Sequence, residues 1–423
     1  YRSGIKGARM KPFAYRGGEL YCEDVSLAQL AAAAGTPCYV YAGAAILRNF
    51  LAYENAFGSQ PHLVCYAVKA NSNLAILKLL AEAGAGFDIV SSGELFRVLH
   101  AGGDPAKVVF SGAGKRDEEI RYALERGIHS FNCESEQELG RISAAAALLR
   151  VKPKVALRVN PDVNAETHPY ISTGLREHKF GISITEVEEV YEAARRLPNL
   201  DVDGVSCLIG SQLLDMAPVM EAVDRLLSLV ERLRRRGFAI RTLDLGGGLG
   251  VAYRPGEEAP GIGGFVREVC ARAAGHGLTL MMEPGRSVVG EAGVLLTRVL
   301  YRKRNGNKNF VIVDAAMNDL IRPTLYQAHH EILPISNGQE RHITADIVGP
   351  VCETGDFFAR DREIPDVQPG DLLALTTAGA YGFVQASNYN ARLRAAEILV
   401  SGDTWRTVRE RESYEDLIRG ERL

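Results

Sequence analysis

Lys69 closes the apolar run His62–Ala70, within Tyr66-Ala-Val-Lys69-Ala-Asn71. An ammonium at the mouth of an apolar strand is costly unless it is solvated, paired or used covalently. One covalent use is a Schiff base, for which partial desolvation makes the amine nucleophilic. A lysine that snorkels to water is the plainer alternative. Farther along, Asp244-Leu-Gly-Gly-Gly-Leu-Gly250 sets Gly246, Gly247 and Gly248 in a row. Consecutive glycines expose backbone N–H groups and admit a close neighbour, which suits a phosphate; alone they also make an ordinary turn. Ile209-Gly210-Ser211-Gln212 adds a hydroxyl near the same position. Glu283-Pro-Gly-Arg286 adds a carboxylate and a guanidinium, for which a simple ion pair is the alternative. A Schiff-base lysine, a phosphate cradle and a carboxylate that converge imply pyridoxal 5'-phosphate. The lysine takes the aldehyde carbon, the glycines take the phosphate, and Glu283 pairs with the pyridine nitrogen. That pairing keeps the ring protonated and a strong electron sink, which favours reactions that leave a carbanion at Cα, decarboxylation among them.

Convergence needs a fold that brings distant segments to one place. Eight short apolar, β-branched runs recur between residues 60 and 286: His62–Ala70, Gly86–Ser91, Val108–Ser111, His129–Cys133, Val155–Asn160, Gly204–Ile209, Thr242–Leu245 and Thr279–Glu283. Helical periodicity fills most of the gaps, as in Leu74–Ala83, Arg116–Glu125, Ser135–Leu149 and Pro218–Arg236. This alternation predicts an α/β chain with a (β/α)8 TIM-like barrel rather than an open doubly wound sheet. In that fold functional residues sit at the C-terminal ends of strands, where Lys69, Ser211, the glycines and Glu283 fall. After residue 290 long helices become scarce, and Val294–Tyr301, Phe310–Asp314, His342–Val348, Asp371–Thr376 and Glu397–Ser401 read as strands. Turns such as Asn305-Gly306 and Pro369-Gly370 separate them. The expected organisation is N-terminal strands over 1–36 (Phe13–Tyr15 and Glu19–Cys22), a cofactor-binding barrel over 37–286, and a C-terminal all-β domain over 287–423 that also takes in the N-terminal strands.

Composition closes off other classes. The 423 residues allow two or three domains, and 46% hydrophobic with 24% charged residues is the profile of a globular chain with ample core. Lysine and arginine number 49 against 52 acidic residues, a net charge of −3, so neither nucleic acid nor an anionic membrane is an expected partner. No apolar run is long enough to span a bilayer, and the visible start shows no signal-peptide pattern. The seven cysteines (Cys22, Cys38, Cys65, Cys133, Cys207, Cys270 and Cys352) form no CxxC pair. They argue against structural zinc, and no metal site is expected; they favour a reducing, cytoplasmic setting.

The chain resembles the barrel-type pyridoxal-phosphate-dependent basic amino acid decarboxylases, and within them the diaminopimelate branch. Beyond the segments already quoted, the resemblance rests on Asp88-Ile-Val-Ser-Ser-Gly-Glu94, His178-Lys-Phe-Gly181, Ile321-Arg-Pro-Thr-Leu-Tyr326, Cys352-Glu-Thr-Gly-Asp356 and Gly379-Ala-Tyr381. It runs from the Leu20–Tyr41 region to Tyr389. Glu353 after Cys352 marks the diaminopimelate branch, since ornithine and arginine relatives carry Asp there. The resemblance implies Lys69 as the Schiff-base residue. It implies Ser211, Gly246, Gly247, Gly248, Gly285, Arg286 and Tyr381 around the phosphate and ring, and Glu283 on the pyridine nitrogen. Arg286, Arg322, Tyr326, Glu353 and Tyr381 are implied as substrate contacts, and Cys352 as the proton donor after CO2 leaves. It further implies a homodimer in which Cys352 and Glu353 serve the partner's site, and conversion of meso-2,6-diaminopimelate to L-lysine and CO2. These roles are chemically apt. Arginines offer planar, multidentate contacts to the two substrate carboxylates, and Glu353 balances an ammonium. A small buried hydrophobe is the ordinary fate of a free cysteine, and a surface ion pair that of an arginine; the acidic and glycine neighbours of Cys352 argue against the former.

One departure stands out. The family pattern His-Ile-Gly-Ser places an imidazole on the cofactor ring, whereas this chain reads Cys207-Leu208-Ile-Gly-Ser211. Leu208 covers a ring by dispersion alone. Three rival readings are weaker. A decarboxylase for another basic amino acid has no need of Arg322 and Glu353 together. A racemase is better served by a neutral pyridine nitrogen than by one facing Glu283. A degenerate homologue that merely binds partners has only Leu208 in its favour, against the joint presence of Lys69, Glu283, Cys352 and Tyr381.

Overall fold

The computed structural model describes residues 11–163 and 179–423. These fall into two compact units: the described residues up to Ile46 together with Glu291–Leu423, and those from Leu47 to Gly290.

The second unit is a closed barrel of parallel strands. In chain order they are His62–Ala67, Gly86–Ile89, Val108–Phe110, Ser130–Cys133, Lys154–Asn160, Asp201–Ser206, Thr242–Asp244 and Thr279–Met282. Each pairs with the next, and the eighth closes on the first through Met281↔Leu63 and Met282↔Val64. All eight predicted runs are strands, shortened or shifted at their ends. Gly204–Ile209 moves to Asp201–Ser206, and at Lys69 the strand stops at Ala67, Val68–Ala70 being a 3-10 turn. Ala67 N–H donates to Pro284 O (3.0 Å), which ties that turn to the Glu283–Arg286 segment.

Helices follow from local sequence. Asn73 accepts from Ala75 N–H ahead of Leu74–Glu82, and Ser135 from Glu138 N–H ahead of Glu136–Leu149. Asp117–Arg126 opens on three acidic residues and stops at Gly127 (φ 67). Ala217–Arg235 buries Val219, Val223, Leu226, Val230 and Leu233, one stripe at helical spacing. Each buried aliphatic side chain there stabilises by about 1.5–3 kcal/mol relative to exposure, so Leu226→Ala would be among the most damaging changes to this helix.

The first unit is β-rich. Its long strand Gly293–Asn305 makes a hairpin with Lys308–Val313 through the Asn305-Gly306 turn (Gly306 φ 55). His342–Val348 and Phe357–Pro365 extend the sheet on that side. On the other lies Cys38–Ala42, antiparallel to Gly293–Leu296 and parallel to Ala396–Val400, with Thr404–Arg409 at the edge. Cys38–Ala42 thus differs from the expected assignment of residue 37 onward to the barrel: its five residues are wholly buried in the β-rich unit. Phe13–Arg16, Glu19–Cys22 and Val25–Ser26 form a small sheet of their own, and Leu20 N–H donates to Ile335 O (2.8 Å) within the same unit.

Candidate active site

The barrel encloses a cavity of about 260 Å³ at the C-terminal ends of its strands, lined by Lys69, Ser111, Asn132, Arg158, Phe180, Ser206, Cys207, Leu208 and Glu283, among others. Lys69 and Glu283, chosen from opposite ends of the barrel sequence, therefore face one space. Lys69 Nζ donates to Asp88 Oδ2 on the second strand; its side chain is 32% exposed while that of Asp88 is fully buried. The first strand delivers the lysine to the cavity mouth, and Tyr66 OH→Asn71 O (2.9 Å) fixes the turn that follows. Gly285 allows the eighth-strand segment to approach, since a Cβ there would stand 2.9 Å from Ala70 Cβ.

Glu283 leaves the eighth strand into a polar, buried layer. Its Oε1 accepts from Asn132 Nδ2 (3.1 Å) and Ser111 Oγ (3.3 Å), and Asn132 Nδ2 also reaches Asp244 Oδ2 (2.9 Å). Burial first, and then the charges of Asp244 and Asp88, push the Glu283 carboxyl well above the usual range; Lys69 opposes this.

Gly246, Gly247 and Gly248 cross beside this layer. A Cβ on Gly247 would lie 2.4 Å from Glu283 O, and one on Gly248 2.8 Å from Gly210 O, so only glycine fits. Arg286 is buried, its Nη2 3.0 Å from Ser211 Oγ and its Nη1 2.5 Å from Tyr253 OH. Ser211, Gly246–Gly248 and Arg286 do not line the cavity wall itself. Leu208 joins the two groups, since it lines the cavity and abuts Gly246.

Several residues here escaped the sequence reading. Asp88 lay in a quoted motif without a role. Asn132 and Asp244 are buried polar residues within apolar strands, and that pattern was the available signal. Arg158 pairs with Glu134 (2.7 Å), lies 4.8 Å over the Phe180 ring, and carries a buried Nη2 with no hydrogen-bond partner among the described residues. His178 lies outside the described residues.

The remaining predicted residues belong to the β-rich unit. Arg322 starts the short helix Arg322–Tyr326, is buried, and donates from Nε to His330 Nε2 (3.4 Å). His330 Nδ1 lies 2.8 Å from Thr376 O, which assigns the ring proton to Nδ1. Tyr326 OH accepts from Gln385 Nε2 (3.2 Å). Glu353 Oε2 accepts from Tyr389 OH (2.7 Å), and Cys352 N–H donates to Asn390 Oδ1 (3.0 Å). Cys352 is exposed, so it is not a core hydrophobe; among the other cysteines only Cys270 is not fully buried. Asp356 orders the loop by accepting from Met317 N–H and Val351 N–H (2.7 Å each). Tyr381 adopts a positive φ of 56.

Among the described residues the barrel site fits pyridoxal phosphate. Buried Asp88 Oδ1, Ser206 Oγ and Arg158 Nη2 have no hydrogen-bond partner there, and the carboxylates of Asp88 and Glu283 both face the charge of Lys69. A cationic heteroaromatic ring with polar substituents answers each of these features.

Residues 43–290 match the family described as pyridoxal-dependent decarboxylase, pyridoxal binding domain. The chain is 56% identical over 414 residues to the diaminopimelate decarboxylase of Pseudomonas aeruginosa, covering 98% of this chain and 99% of that protein. Among solved structures, it is similar to diaminopimelate decarboxylase from Helicobacter pylori complexed with L-lysine (TM-score 0.89, 44% identity, 93% of this chain and 98% of that one). It is likewise similar to the enzyme of that name from M. jannaschii in co-complex with L-lysine (TM-score 0.93, 37% identity, 97% and 98%).

Proposed function

This chain belongs to the pyridoxal-dependent decarboxylases, and from that premise we propose that it removes one carboxyl group of meso-2,6-diaminopimelate to give L-lysine and CO2. The observation that carries the chemistry is the single cavity onto which Lys69 and Glu283 both open. The substrate is taken from the names of relatives alike over almost the whole chain.

Pyridoxal 5'-phosphate, when bound, supplies an aldehyde for Schiff-base chemistry and a ring that accepts the electron pair released as CO2 departs. Lys69 would hold the aldehyde end through Nζ, which Asp88 positions in the cavity. Glu283 would hold a proton at the pyridine nitrogen. Gly246–Gly248, Ser211, Gly285 and Arg286 would receive the phosphate, and Tyr381 would be a further cofactor contact in this reading. Arg322, Tyr326 and Arg286 bind substrate carboxylates, and Glu353 balances the ammonium at the end that does not react. Cys352 delivers a proton to Cα. In this reading the chain works as a homodimer whose Cys352 and Glu353 complete the partner's site.

No helix among the described residues is long and apolar enough to cross a membrane. Free thiols at all seven cysteines fit a reducing cytoplasm. The test is product analysis: incubation with meso-diaminopimelate should release L-lysine and CO2 in equal amounts, and removing the cofactor should abolish both. Release of CO2 without lysine would reject the reading.

A further inference from the structure

In the cavity wall, Asn132 bridges two carboxylates at the C-terminal ends of adjacent parallel strands, Asp244 and Glu283. Its Nδ2 lies 2.9 Å from Asp244 Oδ2 and 3.1 Å from Glu283 Oε1, and both acids are buried. Asp244 is the better served as an anion: its Oδ1 also accepts from Gly246 N–H (2.9 Å). Glu283 has Asn132, the more distant Ser111 Oγ and a side-chain hydrogen bond with Asp244 itself, which favours its protonated form. The other ionisable groups facing the pair are Asp88 and Lys69, with the Cys65 thiol behind them. Two carboxylates this close and this dry do not both stay ionised, because like charge and lost hydration each penalise the second anion.

We propose that Asp244 is a positioning residue that keeps one proton on Glu283 in the cofactor-free protein, and that this stored proton becomes the N–H that Glu283 then holds on a bound pyridine nitrogen. The proposal rests on the assignment of Glu283 to that nitrogen. The transfer balances without solvent: the Glu283 O–H bond breaks with its electron pair left on oxygen, and the nitrogen lone pair takes the proton. The new positive charge then sits against two carboxylates instead of one, which removes the reason the second could not ionise. Asp244 touches neither substrate nor reacting carbon; it acts through Glu283.

The experiment uses the full chain stripped of cofactor and pyridoxine 5'-phosphate as probe, which has the ring and phosphate but no aldehyde to react with Lys69. Titration calorimetry at mildly alkaline pH, in buffers of different ionisation enthalpy, counts protons taken up. The probe's absorbance reports whether its ring is protonated. The unsubstituted protein should bind a protonated ring with no proton drawn in for it. Asp244→Asn, which removes the nearer carboxylate and leaves Asp88 paired with Lys69, should let Glu283 ionise beforehand and take up about one proton more. Equal uptake by the two proteins, with the ring protonated in both, overturns the stored proton and leaves the role of Glu283 standing. A neutral ring in the unsubstituted protein, with a spectrum unchanged by Glu283→Gln, overturns the assignment of Glu283 itself. A readout without substitution guards against misfolding of Asp244→Asn. Infrared spectra of the cofactor-free protein should show a protonated carboxyl band that disappears on probe binding, and its absence from the start also overturns the proposal.

Discussion

Leu208 lies against Gly246 so closely that a Cβ on the glycine would stand 2.9 Å from Leu208 Cδ1. The same leucine lines the cavity with Lys69 and Glu283. With a ring seated in that cavity, leucine would cover it with methyl groups where an imidazole would offer a polar, aromatic face.

Replacing leucine by an aromatic partner should matter modestly. Aromatic pairs contribute about 0.5–1.5 kcal/mol beyond area burial, and about 1.4 kcal/mol is a factor of ten. Leu208→His should slow cofactor dissociation or raise kcat by up to roughly tenfold, with substrate preference unchanged. Dissociation rates and kcat measured on both proteins decide it. If the variant is equal or worse on both counts, leucine is a working part of this site.

Lys69 is the lysine that lines the cavity, held there by Asp88. Lys69→Ala protein should lack the visible absorbance band that borohydride abolishes in the parent. A reducible band that persists in the variant would place the covalent link elsewhere.

If Cys352 and Glu353 complete the partner's site, two inactive proteins should rescue one another. Lys69→Ala and Cys352→Ala, mixed under conditions where subunits demonstrably exchange, should regain activity through one intact site per mixed dimer. No rescue under those conditions would assign Cys352 to the site of its own chain.

Asp319 offers a stability test away from the chemistry. It is 1% exposed, and burial pushes its carboxyl up from 3.8 to about 7, against the opposing hydrogen bond from Ala316 N–H (2.9 Å). The folded state thus binds this proton more tightly than the unfolded chain. Stability from this group is full below about pH 4 and falls as pH rises toward 7, by on the order of 1 kcal/mol per pH unit. Asp319→Asn, which still offers an oxygen to Ala316, should remove that slope. Denaturation midpoints of both proteins across the window test this, and parallel curves would contradict it.

How far the sequence carried differs between fold and site. The eight barrel strands were legible because each is an unbroken apolar run bounded by helix or turn signals. Their ends were less so: Val68–Ala70 has the apolar character of the strand before it, yet it coils into a 3-10 turn where Pro284 takes over the backbone bond from Ala67. Cys38–Ala42 is just as apolar, but nothing local tells it to pair with residues 293–296 and 396–400 rather than with the barrel. Phe357–Pro365 went unread because Arg360, Asp361 and Arg362 interrupt its apolar pattern. In the site, Lys69, Glu283 and the glycines were legible by type and position. The bridge from Asn132 to Asp244 and Glu283 was not, because it spans 112 and 151 residues of chain and is made by side chains that look unremarkable in isolation.

The central claim is the choice of substrate, and kcat/KM for CO2 release from meso-diaminopimelate against L-lysine, L-ornithine and L-arginine tests it most directly. In the proposed reading Arg322 meets the second carboxylate and Glu353 the distant ammonium, so a substrate lacking either leaves one of them without its charged partner, and such sites discriminate strongly. The account predicts a preference for meso-diaminopimelate of roughly 10³-fold or more, with L-lysine accumulating as product. Comparable or faster release of CO2 from any of the three monocarboxylates would contradict it.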